Sequence, residues 1–263
     1  MSKIRVLVHG ALGKMGQTVI TALRQEPDME LVGAVDISAV TSDLSAPNGC
    51  SIPLSCDIEA MLGAQRPDVV VDFSTAKAME HLAQVVLSHG VRLVSGTTGL
   101  NENVLSKIEA LAKEYKTGAI VASNFAIGAL VMQHLAKIAA RYFDYAEIIE
   151  EHHQFKLDAP SGTALSTAKS MVQSRGKAFI EPNQSGTQQE SRGQQFDGIC
   201  IHSVRMPGIV ARQEILLGGM GQTLSIKHDA INRDCYMPGV MLAIREIGKQ
   251  NGLIVGLEKL LGL

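Results

Sequence analysis

The sequence predicts an α/β fold, with a parallel-sheet unit in its first half and a strand-rich unit in its closing third. Three observations carry that expectation. Short apolar or β-branched runs alternate with amphipathic helical patterns through about residue 122, as strands buried between helices do. The first run ends in a turn with glycines at three-residue spacing that opens a helix. Beyond residue 176 the pattern changes to a loop rich in Gln, Ser and Gly, followed by three strand-like segments.

At 263 residues the chain is long enough for one large or two ordinary domains and buries a sizeable core. Hydrophobic content of 46% with 19% charged residues is that of a globular protein. A net charge of −2 gives no bulk attraction to nucleic acid or an anionic membrane. No apolar run approaches a membrane span, and a strand is expected directly after Met1, Ser2 and Lys3, without a leader peptide. Cys50, Cys56, Cys200 and Cys235 lack C-x-x-C pairing and are expected as reduced thiols, hence a cytoplasmic compartment. No ligand cluster has metal-site spacing, so no metal is expected.

Residues 3–8 (KIRVLV) read as a buried strand and lead into HGALGKMG at 9–16, with Gly10, Gly13 and Gly16 spaced G-x-x-G-x-x-G. Glycines there permit a tight turn and let backbone approach a pyrophosphate, whose charge the helix N-terminus then holds. About twenty residues on, a second strand (31–36) ends in Asp36, where a ribose hydroxyl partner belongs. A strand-end acid starting a turn is the plainer alternative, but strand, glycine turn, helix, strand and acid in that order point to a dinucleotide. Asp36 favours an adenosine ribose without a 2′-phosphate. Lys14 offsets that with positive charge, so NADH and NADPH both stay open.

Residues 38–53 are small and polar, expected as a loop without chemistry. A strand at 69–74 and a helix at 75–89 follow, with Met79, Leu82, Val85 and Val86 on one helix face and His81 and His89 expected in solvent. A strand at 91–94 closes on Ser95, Gly96, Thr97, Thr98 and Gly99. Small residues at the carboxyl tip of a parallel strand can approach a nicotinamide ring, and the same residues can simply lead into the helix that begins near Asn101. A strand at 118–122 ends in Ser123, Asn124 and Phe125 at the same edge.

A helix over 127–142 carries Leu130, Val131, Leu135 and Ile138, and a strand at 146–150 leads into EEHHQFKLDAPSGTA at 150–164. If residues 151–155 stay extended, His152 and His153 point to opposite faces and cannot share a metal. Lys156 is either a surface amine in water or a cation aimed at an anionic substrate. After the rigid Pro160, Ser161 reads as the N-cap of a helix through Leu165, Ala168 and Met171 that stops at Gly176. Gly162 and Thr163 then offer first-turn amides to a carboxylate. Capping alone accounts for Ser161 but not for the two histidines and the lysine before it.

Residues 176–197 are expected as a mobile loop that brings Arg192 and Gly193 toward the substrate. Strands are expected at 198–204, 209–217 and 222–228, with a turn at 218–221 and structural roles for His202 and His228. Their alternation suits a sheet with one face covered and the other free to pair subunits. A helix at 234–249 carries Val240, Met241, Ile244 and Ile247.

The motif E-H-H-x-x-K-x-D-A-P-S-G-T-A at 151–164, with the Gly10–Gly16 turn, Asp72-Phe73-Ser74, Gly96-Thr97-Thr98 and Ser123-Asn124-Phe125, resembles the dihydrodipicolinate reductase family over nearly the whole chain. The resemblance implies an N-terminal Rossmann dinucleotide-binding domain (1–123 and 233–263) and an α+β substrate and oligomerisation domain with an open mixed sheet (124–232), assembled as a homotetramer. It implies NADH- or NADPH-dependent reduction of 4-hydroxy-tetrahydrodipicolinate in the diaminopimelate route to lysine. His152 and Lys156 would handle protons, while His153, Gly162 and Thr163 would contact the dicarboxylate. Gly10, Ala11, Leu12, Gly13, Lys14, Met15, Asp36, Gly96, Thr97, Thr98, Ala122, Ser123, Asn124 and Phe125 would hold the cofactor. Lys14 stands where the family often has arginine, and Ile37 follows Asp36 where some members place arginine. The rival readings are another two-domain NAD(P)-dependent dehydrogenase of small substrates and a non-catalytic NAD(H) sensor.

Overall fold

A computed structural model describes residues 2–45, 51–182 and 192–263. The chain divides into two compact units, Met1–Ala126 with Tyr236–Leu263, and Ile127–Cys235.

In chain order the first unit holds β1 (Ile4–His9), α1 (Lys14–Leu23), β2 (Met29–Val35), β3 (Asp43–Ser45), β4 (Ser51–Ser55), α2 (Ile58–Gln65), β5 (Val69–Asp72), α3 (Ala76–Ser88), β6 (Arg92–Ser95), α4 (Glu102–Glu114) and β7 (Gly118–Val121). The second unit holds α5 (Ile127–Ala139), β8 (Tyr145–His152), α6 (Gly162–Arg175), β9 (Gln194–Phe196), β10 (Ile199–Arg205), β11 (Ala211–Gly219) and β12 (Gln222–Ala230). After a 3₁₀ turn at Arg233–Tyr236, α7 (Met237–Ile247), β13 (Gly252–Val255) and α8 (Glu258–Leu261) complete the first unit.

The first unit's sheet runs β13-β7-β6-β5-β1-β2-β4-β3, parallel except for the β3–β4 pair. Strand order reverses at β1 and β5, the position where such sheets bind ligands beyond their carboxyl ends. The sequence dictates this burial directly. All four residues of β5 (VVVD) are buried, and Leu7, Val70, Met79, Val86, Leu93 and Ile108 pack one core between sheet and helices. This is the Rossmann-type α/β unit the sequence predicts.

The second unit's sheet runs β12-β11-β8-β10-β9 and is mixed, with β8 and β10 parallel and the other pairs antiparallel. Ile148, Ile199, Ile201, Ile215 and Leu217 pack against Met132 and Ala136 of α5 and Ala164, Ala168 and Met171 of α6.

Several elements depart from the sequence expectation. The loop expected at 38–53 contains β3 and β4, a short edge hairpin whose small polar residues and Pro53 mask its strand character; residues 46–50 of that loop lie outside the described residues. The loop expected at 176–197 has residues 183–191 outside the described residues, and its end folds as β9. Asp197 and Gly198 both have positive φ (46° and 84°) and close a two-residue hairpin in which Phe196 pairs with Ile199, the conformation Asp-Gly favours. Neither α2 nor β13 was expected. The units divide three residues beyond the expected 123 and 233. Residues 124–126 fold with the first unit, because Phe125 is buried against the Phe73 ring at 5.7 Å and a side chain on Gly239 would strike Phe125 O.

Candidate active site

In the first unit, Gly10 follows β1 with a φ of +75°, and its amide and that of Ala11 both donate to Val35 O. A Cβ on Gly10 would stand 2.6 Å from Phe73 O, and one on Gly16 would stand 2.1 Å from Gly10 O. Both glycines are therefore required by close backbone packing. Gly13 is different: a Cβ there would approach only Gly10 O, at 3.3 Å. Gly13 caps α1 with no side-chain hydrogen bond, and no acidic residue lies in the first turn of the helix. The asparagine, aspartate and serine caps of α4, α2 and α6 each fill one such amide. The start of α1 thus keeps its amides and positive dipole end for an anion. Lys14 and Gly13 are exposed beside it. The donor set fits a dinucleotide pyrophosphate.

Asp36, at the end of β2, accepts from Leu12 N and Ser38 N, each at 2.9 Å. Two lone-pair sites of its carboxylate remain for a ribose hydroxyl. Ile37 next to it is 94% exposed and offers no charge.

A feature not read from the sequence lies under the strand tips. Asp72 is fully buried, and its oxygens accept from His9 Nδ1 (2.8 Å), Ser74 N (3.1 Å), Ser95 Oγ (2.8 Å) and Thr97 Oγ1 (2.7 Å). Burial alone would raise its carboxyl, but the bonds from His9, Ser74 and Thr97 outweigh it and hold the group below the usual range. Asp72 therefore ties the tips of β1, β5 and β6 together. Thr97 spends its hydroxyl there and its amide on Ser95 Oγ. Ala11, Thr97, Ala122 and Phe125 are buried, whereas Thr98 and Ser123 are exposed. Gly96 is dictated by Phe73, whose ring lies 2.1 Å from where a Cβ would stand. Asn124 Oδ1 accepts from Ala126 N, and Ser74 Oγ is buried without a partner among the described residues. All fourteen residues expected at the cofactor lie in this unit, at the carboxyl ends of β1, β2, β6 and β7, in the turns that follow, or, for Lys14 and Met15, in the first turn of α1.

In the second unit the sequence-read stretch is organised by a residue the sequence reading passed over. Glu150, in β8, is fully buried and shares a strand face with His152. Its Oε2 accepts from His152 Nδ1 at 2.6 Å and from Arg205 at 2.9 Å; its Oε1 accepts from Arg205 at 2.8 Å and from Ser161 N at 3.1 Å. Arg205 also donates to the carbonyls of Lys156 (3.3 Å) and Asp158 (2.6 Å), pinning the turn between β8 and α6. Burial pushes the Glu150 carboxyl up, but bonds from His152, Arg205, Ser203 and Ser161 N prevail and bring it down to about 2.

That shift has a consequence for stability. A carboxyl depressed from 4.5 to about 2 stabilises the fold fully above pH 4.5 and loses that contribution as pH falls toward 2. A shift of this size is worth about 3 kcal/mol. Urea midpoints measured from pH 6 to pH 2 should fall steeply, and less steeply in Glu150→Gln. Equal slopes would show that Glu150 does not carry the acid sensitivity.

The strand ends at His152, and Lys156 N donates to His153 O in a turn, so residues 153–155 do not continue extended. His153 buries Nδ1 with no partner among the described residues. Lys156 is not free in water; its Nζ donates to Asp158 Oδ1 at 2.7 Å, and that bond is the main reason the Asp158 carboxyl sits below its ordinary range. Ser161 caps α6 by accepting from Ala164 N at 3.2 Å, as its position predicts. The amides of Gly162 and Thr163 are among those an α-helix leaves without an internal acceptor. Thr163 O is fixed by Thr167 Oγ1, which itself accepts from Gln133 and Gln213. A Cβ on Gly162 would meet nothing within 4 Å, so protein packing does not require glycine there.

Arg192 pairs with Glu147, as does His202 at 2.8 Å, and the His228 ring lies against Gly128; burial lowers the His228 pKa. Among the described residues no group of three or more His, Cys, Asp or Glu could hold a metal ion. Glu150 was legible in principle from its two-residue spacing to His152. Arg205 was not, because only the β8–β10 register sets it opposite His152.

A helix start that keeps its amides for a pyrophosphate, on a sheet of this order, defines a dinucleotide-binding protein of the Rossmann type. Comparison with known proteins narrows the class. Residues 4–125 match the model "Dihydrodipicolinate reductase, N-terminus" and residues 128–261 match "Dihydrodipicolinate reductase, C-terminus". A 4-hydroxy-tetrahydrodipicolinate reductase of Dehalococcoides mccartyi is 51% identical, with all of both chains covered, and one of Desulfitobacterium hafniense is 46% identical, over 99% of this chain and all of that one. The solved structure of a dipicolinate-bound dihydrodipicolinate reductase from Paenisporosarcina sp. TG-14 superposes with a TM-score of 0.86 at 40% identity, covering 98% of this chain and 99% of that one. The chain belongs to the dihydrodipicolinate reductase family. An amine dehydrogenase from Mycobacterium smegmatis shares the fold at 15% identity, with a TM-score of 0.68 over 96% of this chain and 95% of that one.

Proposed function

We propose that this protein reduces 4-hydroxy-tetrahydrodipicolinate to tetrahydrodipicolinate with NADH or NADPH, in the diaminopimelate route to L-lysine. The observation that carries the reading is the stretch from Glu150 to Thr163, where an imidazole, an amine and an open helix start come from one segment of the second unit. The relative solved with dipicolinate bound gives that chemistry a ligand of the right class, a planar ring with two carboxylates.

The amides of Gly162 and Thr163 and the unpartnered His153 nitrogen bind one substrate carboxylate. The 4-hydroxyl leaves as water; bound reduced nicotinamide would supply the hydride, and one proton from the chain's own residues balances the charge this leaves on the ring. Lys156 is the proton donor, and His152 a proton donor or acceptor. His152 offers Nε2, since Nδ1 is committed to Glu150; Lys156 offers Nζ once it parts from Asp158. In the first unit the start of α1 holds the pyrophosphate, Asp36 the adenosine ribose, and the tips of β6 and β7 (Gly96, Thr97 and Thr98; Ala122, Ser123, Asn124 and Phe125) the nicotinamide end. Lys14 adds positive charge near the phosphates.

Two further proposals concern assembly and place. Subunits assemble as a homotetramer through the second unit's sheet, whose edge strand β12 is largely exposed; mass measurement in solution checks it. The protein works in the cytoplasm, in keeping with the free thiols of Cys56, Cys200 and Cys235. No helix among the described residues is long and apolar enough to cross a membrane.

The direct test follows NADH or NADPH absorbance with and without substrate generated in situ from its aldehyde and pyruvate precursors. Substrate-dependent oxidation is expected, with a higher kcat/KM for NADH because Asp36 repels a 2′-phosphate. Cofactor binding without turnover would instead indicate a sensor. Turnover only with other small imines or amino acids would indicate a different dehydrogenase.

Gly162→Ala separates ligand space from packing. The thermal midpoint should be unchanged, since the methyl meets no protein atom. The dicarboxylate KM should rise about tenfold as the methyl crowds the carboxylate. An unchanged KM would place the carboxylate elsewhere.

A further inference from the structure

Two features of Glu150 need an explanation beyond stability. A fully buried carboxylate is costly unless every lone pair is used, yet Glu150 stands two residues from the residue proposed as proton donor. It also carries negative charge into a site read as binding a dianion. Its bonding answers both. Arg205 meets it with both nitrogens, at 2.8 and 2.9 Å, so the pair is neutral as a unit and does not repel substrate carboxylates. The lone pairs left over receive His152 Nδ1 and Ser161 N.

We propose that Glu150 is a positioning residue for the reduction: its carboxylate accepts from Nδ1 of His152, fixes the ring in the Nδ1–H tautomer, and so leaves Nε2 as the one nitrogen that exchanges a proton with substrate. Through Ser161 N the same carboxylate anchors the residue that caps α6, holding the ring and the helix start to one rigid point. Arg205 extends that point to the turn carrying Lys156 and Asp158 through two carbonyl bonds. With Nδ1–H bonded to the carboxylate, the exchangeable proton is carried or received at Nε2 alone, and the carboxylate stabilises the doubly protonated ring from which that proton is given. Glu150 itself stays ionised throughout, its bonds with His152, Arg205, Ser203 and Ser161 N being what keep it so. This inference rests on the reading of His152 as a proton donor.

The experiment has two arms. In wild-type protein labelled with ¹⁵N-histidine, the ring nitrogens of His152, assigned by their absence in His152→Gln, should show the proton on Nδ1 in the neutral ring. A proton on Nε2 overturns the proposal, and this arm needs no Glu150 variant to fold. The second arm is a kinetic cycle of Glu150→Gln, His152→Gln and the double variant. Glu150→Gln should lower kcat about ten- to a thousandfold with the KM for NADH unchanged. In the His152→Gln background the same change should cost less than about twofold, because residues that act as a unit are not additive. Equal losses in both backgrounds, or full turnover in Glu150→Gln, overturn the proposal. Full turnover in His152→Gln would instead remove His152 as donor, and the tautomer would still show whether Glu150 orients the ring.

Discussion

Lys156→Met and His152→Gln are each expected to lower kcat about a hundred- to ten-thousandfold while leaving the Kd for NADH within about twofold. The reasoning rests on where the groups sit. Both belong to the second unit, and every residue assigned to the cofactor belongs to the first. The two roles open to Lys156 separate with one further variant. Lys156→Arg keeps a cation for the dicarboxylate but replaces an amine that gives up its proton with a guanidinium that does not. If Lys156 donates the proton, the arginine variant keeps a near-normal KM for the dicarboxylate and a kcat as low as the methionine variant. If it only anchors, the arginine variant recovers most of kcat. Steady-state kinetics with the in situ substrate, and calorimetric titration with NADH, measure both quantities. Full turnover in Lys156→Met would remove it from the chemistry.

Asp158 sharpens that expectation. It holds Nζ at 2.7 Å, so the amine must exchange one carboxylate for another when substrate binds. Exposed ion pairs of this kind are worth under about 1 kcal/mol, little against a dianion. Asp158 is therefore a parking place rather than a competitor.

What the sequence could disclose follows the range of the interactions. The glycine turn, the Ser161 cap, the strand tips and the Gly176 stop are local chemistry, and a reader of consecutive residues finds them. The face shared by Glu150 and His152 is also local, a matter of two-residue spacing, but the adjacent histidines are the more conspicuous signal. Arg205 belongs to another order of information: it reaches Glu150 only because β10 lies parallel to β8 in a register that pairs Arg205 with His152. The Asp72 network is of the same kind, joining His9, Ser95 and Thr97 across three neighbouring strands. The hairpin of β3 and β4 was hidden for the opposite reason, since its strands are too short and polar to show a period. The Asp197-Gly198 turn had a plain local signal that the surrounding polar composition obscured.

Gly16→Ala is expected to weaken NADH binding by about a hundredfold, near 3 kcal/mol, and to leave the dicarboxylate binding proposed for the second unit intact. Alanine normally favours a helix interior over glycine by about 1 kcal/mol. Here the added carbon would lie 2.1 Å from Gly10 O and 2.8 Å from Ala11 Cα. Backbone atoms cannot rotate aside as a side chain does, so either α1 or the Gly10 turn must move, and both are part of the proposed pyrophosphate cradle. Overpacking of this kind costs about 1–3 kcal/mol on its own, so a lower melting temperature should accompany the lost affinity. Gly13→Ala supplies the contrast. Its Cβ would approach only one protein atom, at 3.3 Å, so the fold should melt close to the wild-type temperature, and any loss of NADH affinity would report contact with the ligand itself. Should Gly16→Ala bind NADH as tightly as the wild type, the start of α1 is not where the pyrophosphate sits, and the dinucleotide would have to be held by the strand tips alone.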